Sequence, residues 1–216
     1  MTASHFFGIV QAECIKLLSR SSARLGLLLA LLIGVVAPMG FALLGSTGAV
    51  VNGALVADSL GASAPKAALW ALYIRNLWLM QSFIVLLCAV SFAGELNAHT
   101  LREDLLRPVS RTAVFLAKFA SVALFIVLTL TLQYATSTGL GLALFGADGP
   151  WREVFLGYVA SAVSDLSFAA VVFAICTIVR SVPGTVVGML LFIVFEKLLS
   201  WFLFVTEAIV SGLPPE

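Results

Sequence analysis

The sequence predicts an all-α, polytopic transmembrane helical bundle, and three observations predict it. Hydrophobic residues make up 61% of the 216 residues and charged ones 11%, against about 45–50% and about 25% in a soluble domain. The apolar residues are gathered into long runs, such as 25–44 and 154–179, and roughly 20 consecutive apolar residues match the thickness of the hydrocarbon layer. Inside lipid a spanning backbone must satisfy its hydrogen bonds within its own segment, so these runs must be helical.

Before the first run, Phe6, Phe7, Val10, Cys14, Leu17 and Leu18 recur at helical spacing, with Gln11, Glu13, Lys16 and Arg20 toward the other side. This pattern predicts an interfacial amphipathic helix over about 4–20. The run behind it is a retained anchor rather than a secretory signal, because it follows a segment containing Glu13 and exceeds an h-region of about 7–15 residues.

Five spans are expected in one transmembrane domain over 1–216, at about 25–44, 70–93, 113–145, 154–179 and 182–205. The third is too long for a simple crossing, so it tilts or projects, and Gly139 and Gly141 mark where it is expected to break. The connection over 45–66 is rich in Gly, Ala and Ser and carries no recognisable chemistry. Gly184 and Gly188 have small-residue packing spacing.

Lys16, Arg20, Arg24, Arg102, Arg107, Arg111, Lys118 and Arg180 fall on one side of this layout, and only Lys66, Arg75 and Arg152 on the other. That bias places the N-terminus and the 95–111 connection in the cytoplasm, and five spans place the C-terminus outside. The formal net charge of +1 argues against a nucleic-acid partner, which calls for a basic surface. Cys14, Cys88 and Cys176 are odd in number, and the last two lie in apolar runs, so no disulfide framework is implied.

The only sizeable polar segment on the cytoplasmic side is 95–111. Thr100 and Glu103 have the spacing of a capping box, and Pro108 disfavours helical geometry at Arg107, which predicts a short helix over about 100–107. Ser110 or Thr112 is placed to cap the third span. On topology alone this is a solvated loop. Its wording, however, runs Glu95, Thr100-Leu101, Leu105-Leu106-x-Pro108-Val109-Ser110-Arg111, Lys118, and resembles the loop between the second and third spans of the ABC-2 type permeases.

The resemblance implies the membrane-spanning permease subunit of an ABC exporter in a bacterial inner membrane. It implies that Glu95, Thr100, Leu101, Arg102, Glu103, Asp104, Leu105, Leu106, Arg107, Pro108 and Arg111 form a coupling helix and its flanks, docking on a separate ABC ATPase subunit. ATP and Mg would be bound by that partner, and this chain would need no cofactor. A second permease copy, identical or related, would complete the unit. His99 and Ala117 stand where the family usually has Gly. The family pattern has six spans with both termini inside. Either a sixth span is missing from this chain, or the 201–212 stretch begins the family's outer re-entrant segment and the protein is short.

Charged groups at membrane depth mark pathways or helix contacts. Counting about 1.5 Å per residue, Gln81, Gln133, Asp165 and Glu196 reach similar depth and are expected to form one polar layer. The layer is either a vestibule for a translocated head group or a set of interhelical hydrogen bonds; Lys197 beside Glu196 points toward the interface. Arg75, with Trp70, Tyr73 and Trp78 around it, reads as an interface anchor.

Catalysis finds no foothold: His5 and His99 are the only histidines and fit no metal-ligand spacing, and no Gly-x-x-x-x-Gly-Lys-[Ser/Thr] loop occurs. An intramembrane enzyme is therefore the least favoured class. The alternative to a transporter is a non-transporting membrane anchor or assembly subunit.

Overall fold

The computed structural model describes residues 3–46, 50–51, 54–55, 63–77, 79–97 and 110–211. The expected coupling helix over about 100–107, with Thr100, Leu101, Arg102, Glu103, Asp104, Leu105, Leu106, Arg107 and Pro108, lies outside them. Among the described residues the regular structure is helical apart from a two-residue antiparallel ladder, with short turns such as 146–150 and 180–181 between helices. In the ladder, β1 (Val50–Val51) pairs with β2 (Ala54–Leu55).

The helices are α1 (Ala3–Ser19), α2 (Ser21–Ser46), α3 (Ala64–Leu77), α4 (Leu79–Cys88), α5 (Gly94–Asn97), α6 (Arg111–Phe145), α7 (Trp151–Val179) and α8 (Val182–Ser211), with a π turn over Ala89–Ala93 joining α4 to α5. Four stretches, Ser21–Leu43, Thr112–Phe145, Trp151–Val179 and Val182–Glu207, are each long and apolar enough to cross a membrane. The chain is thus a multi-pass α-helical bundle.

A bent helix pair is the candidate for a fifth crossing. The run expected as one span over 70–93 begins six positions earlier and bends by 51° between Ala64–Leu77 and Leu79–Ala93. Its ends are pinned to α6 at two points: Gly141 packs on the backbone of Ala64, and Lys118 pairs with Glu95. Those points are roughly 35 Å apart at about 1.5 Å per residue, which exceeds the ~30 Å hydrocarbon core. The bent pair therefore traverses the bundle from end to end.

Helix α6 is central, with 56% of its most apolar window buried against 11% for α8. It forms one unbroken 35-residue helix, so the expected break at Gly139 and Gly141 does not occur. Its length carries it past both limits of the hydrocarbon. Ser110 rather than Thr112 is its N-cap, accepting from the Ala113 amide at 3.3 Å. Gly141 serves contact instead: a Cβ there would stand 3.1 Å from Ala64 Cα. Gly34 has a similar role on α2, where a Cβ would overlap the Thr136 hydroxyl and reach within 3.2 Å of the Gln133 carbonyl. Small residues let helix backbones approach where lipid offers no hydrophobic drive to bring them together.

The Gly184-x-x-x-Gly188 spacing marks no such crossing among the described residues. A Cβ at Gly188 would meet nothing within 4 Å, and one at Gly184 only Val179 and Ser181 of the adjoining turn. Packing at the α6 N-terminal end is aromatic: Phe92, Phe115 and Phe119 surround Phe173, with centroids 5.4, 5.8 and 5.6 Å from it. Such edge and tilted geometries suit ring quadrupoles better than face-to-face stacking.

Candidate functional site

Two clusters of charged side chains are built into the bundle, one at each of two levels along α6. At its N-terminal end Lys118, 1% exposed, donates to Glu95 Oε2 at 2.5 Å and to Glu13 Oε2 at 2.8 Å. Glu95 is 8% exposed, and its other oxygen takes Lys16 at 2.8 Å and Arg20 at 3.2 Å. Arg20 also donates through Nη1 to the Val90 carbonyl at 2.7 Å. Val90 lies in the π turn, where a wider hydrogen-bonded ring disturbs the α ladder. One carboxylate thus joins α1, the end of the second crossing and the start of α6.

Helix α1 contributes through its charged face. Glu13 and Lys16, with Arg20 just beyond the helix, turn onto the bundle, whereas Phe7 and Leu18 remain exposed and Leu17 is buried. An interfacial helix can bury polar residues where the bundle end is itself charged, and leave apolar ones to lipid.

Burial pushes the Glu95 carboxyl up, but hydrogen bonds from Lys118 and Lys16 and their charges outweigh it, so its pKa is lowered below the ordinary 4.5. A carboxylate depressed in the folded state holds fewer protons there than in the unfolded chain. Its stabilisation is complete above the ordinary value and lost as pH falls through the depressed one. The melting temperature of detergent-solubilised protein is therefore expected to drop as pH falls below about 4.5, and Glu95→Gln to flatten that drop. An acid limb unchanged by the substitution would show that other carboxylates govern it.

The second cluster lies deeper. Arg75, wholly buried on α3, places Nη2 2.6 Å from Asp165 Oδ2 on α7, whose side chain is 7% exposed. The contact is an ion pair whose alignment falls short of a hydrogen bond, and Arg75 Nε has no partner. Around it Asn76 donates to Ser161 Oγ at 2.5 Å, Gln133 Nε2 to the Ala71 carbonyl at 2.8 Å, and Tyr158 to the Ala68 carbonyl at 3.4 Å. The Gln133 position lies about 22 Å along α6 from Lys118 and about 12 Å from Gly141. This is membrane depth, where unpaired charge is costly.

Of the four residues expected in one polar layer, Asp165 and Gln133 lie in this node. Gln81 keeps a buried Oε1 with no hydrogen bond. Glu196 is 40% exposed on α8 and pairs with neighbouring Lys197 at 3.4 Å. Arg75 is corrected from interface anchor to buried partner of Asp165. The aromatic neighbours Trp70 and Tyr73 point to an interface, but both are exposed on the opposite side of α3, which starts at Ala64 and buries Ala67, Ala68, Ala71 and Arg75. The signal available was one Arg and one Asp, each alone in its own apolar run.

Residues 9–198 match the family described as ABC-2 family transporter protein. The chain belongs to the ABC-2 transporter family. Over 67 residues it is also 36% identical to an uncharacterized protein, YhcI, of Bacillus subtilis strain 168. That stretch is 31% of this chain and 21% of the relative, so the aligned part spans about a fifth of the relative's length. As an ABC-2 transporter, the chain is a membrane component of a transport system, and its sequence carries no phosphate-binding loop of its own. Glu95 and Lys118, the two ends of the family-like wording, are the residues the fold brings into contact.

Proposed function

We propose that this chain is the permease subunit of an ABC exporter, driven by a separate ATPase chain that docks on the 100–107 segment of the 95–111 connection. The supporting observation is the Glu95–Lys118 pair, which ties the two ends of that connection together and fastens them to α1. A connection clamped at both ends transmits a push, whereas a free loop absorbs it. The ATPase must contact the permease differently in its ATP-bound and ATP-free states for coupling to exist. Leu101, Leu105 and Leu106 supply the apolar anchor, and Arg102, Glu103 and Asp104 orient it by charge. ATP and Mg belong to the partner, and a second permease half, identical or related, completes the unit. The Lys/Arg bias sets the N-terminus and the connection in the cytoplasm of a bacterial inner membrane.

Replacing Leu105 and Leu106 together by Ser is expected to leave membrane insertion intact and to reduce co-purification with the ATPase or uncouple its hydrolysis from transport. A double variant that inserts, holds the ATPase at wild-type affinity and transports normally would sink the docking assignment.

A further inference from the structure

On the α6–α7 flank, Val127 and Tyr134 of α6 with Phe155, Tyr158, Val159 and Ala162 of α7 line a cleft of about 220 Å³. Val127, Phe155 and Val159 are exposed, so it opens sideways from the bundle. Polar atoms on its wall are turned away. The Thr131 hydroxyl donates to the Val127 carbonyl of its own helix at 2.8 Å, and the Tyr158 hydroxyl bonds inward to Ala68 and stands 3.3 Å from Ser137. The floor is the edge-to-face contact of Tyr134 and Tyr158, with centroids 5.0 Å apart. A site needs only about 10–15 Å³ to admit a water but also polar partners to hold it; this cleft has the space and offers apolar walls. On the flank of two spanning helices, what fills it is hydrocarbon.

A cation stands one turn from the cleft lining on α7. Arg152, exposed in the first turn of α7, shares one helix face with Phe155, Val159 and Ala162 at successive spacings of three, four and three residues. Among the described residues it has no ion-pair partner, and Glu153 projects about 100° round the helix from it. Arg152 to Ala162 covers about 15 Å of helix axis, which is half of the ~30 Å hydrocarbon core. A cation at the interface above an apolar channel one leaflet deep is complementary to a lipid with a negative head group.

We propose that this face binds an anionic glycerophospholipid from the leaflet on the side of the α6–α7 connection, with one acyl chain in the cleft and its phosphate group on Arg152. The proposal rests on the membrane placement of α6 and α7 and is independent of the ATPase reading. The test is native mass spectrometry of the full-length protein in detergent, titrated with phosphatidylglycerol or phosphatidylcholine. Wild type is expected to retain the anionic lipid about fivefold better, the effect of one basic residue near a membrane surface. Arg152→Gln should erase that preference and Arg152→Lys keep it, while Ala162→Phe, by filling the cleft, should lower retention of both lipids. Equal retention of the two lipids by wild type, an undiminished preference in Arg152→Gln, or wild-type binding by Ala162→Phe would each overturn it. Should Ala162→Phe fail to fold, the two exposed Arg152 variants still decide the matter.

Discussion

Asp165→Ala is expected to destabilise the bundle by about 3–5 kcal/mol, the usual cost of leaving one member of a buried ion pair uncompensated. Arg75 is wholly buried and its guanidinium has Asp165 as its only ionic partner among the described residues. Removing both charges together, as Arg75→Met with Asp165→Leu, should recover most of the loss, since an apolar pair of similar volume replaces a buried ion pair at little cost. Thermal unfolding of the two single variants and the double variant in detergent checks this through a double-mutant cycle. Additive losses, with no recovery in the double variant, would mean that the two side chains act independently.

Lys118→Met is expected to have the second-largest effect, again about 3–5 kcal/mol, because one ammonium serves two carboxylates on two different elements. Lys16 and Arg20 would still hold Glu95, but Glu13 would lose its closer cation, at 2.8 Å, and keep only Lys16 at 3.9 Å among the described residues. Adding Glu13→Gln should therefore restore part of the melting temperature, and adding Leu124→Ala, on an exposed face of the same helix, should not. A Lys118→Met protein that melts with wild type would remove the cluster from any account of how the connection is held.

The membrane class and the positions of α2, α6, α7 and α8 could be read from apolar runs, because lipid forces the backbone to close its own hydrogen bonds. The second crossing was legible only in part. Its break between Leu77 and Leu79 involves no Pro or Gly at the joint, so no local signal announced it. Contacts with α6 at both ends, rather than propensity, hold it across the bundle. Gly141 marks no break for a related reason: in a span a glycine can be a place for a neighbouring helix to rest, as Ala64 does here. Motif wording singled out Glu95 and Lys118 but gave no hint that α1 would complete their cluster. Pairings between residues about 75 to 105 positions apart depend on how helices rotate against each other, and a single apolar sequence carries little information on rotation.

The π turn over Ala89–Ala93 settles one such rotation. An i to i+5 ring holds one more residue than an α turn, so everything after it is advanced by one position, about 100° around the axis. Glu95 is the second residue beyond the turn, so its carboxylate meets Lys118 from this shifted phase. Deleting a single residue from that stretch would leave the composition, hydropathy and length of the crossing almost untouched while turning Glu95 away from three cations. The orientation of Glu95 among its cations thus depends on a one-residue surplus in the helix before it.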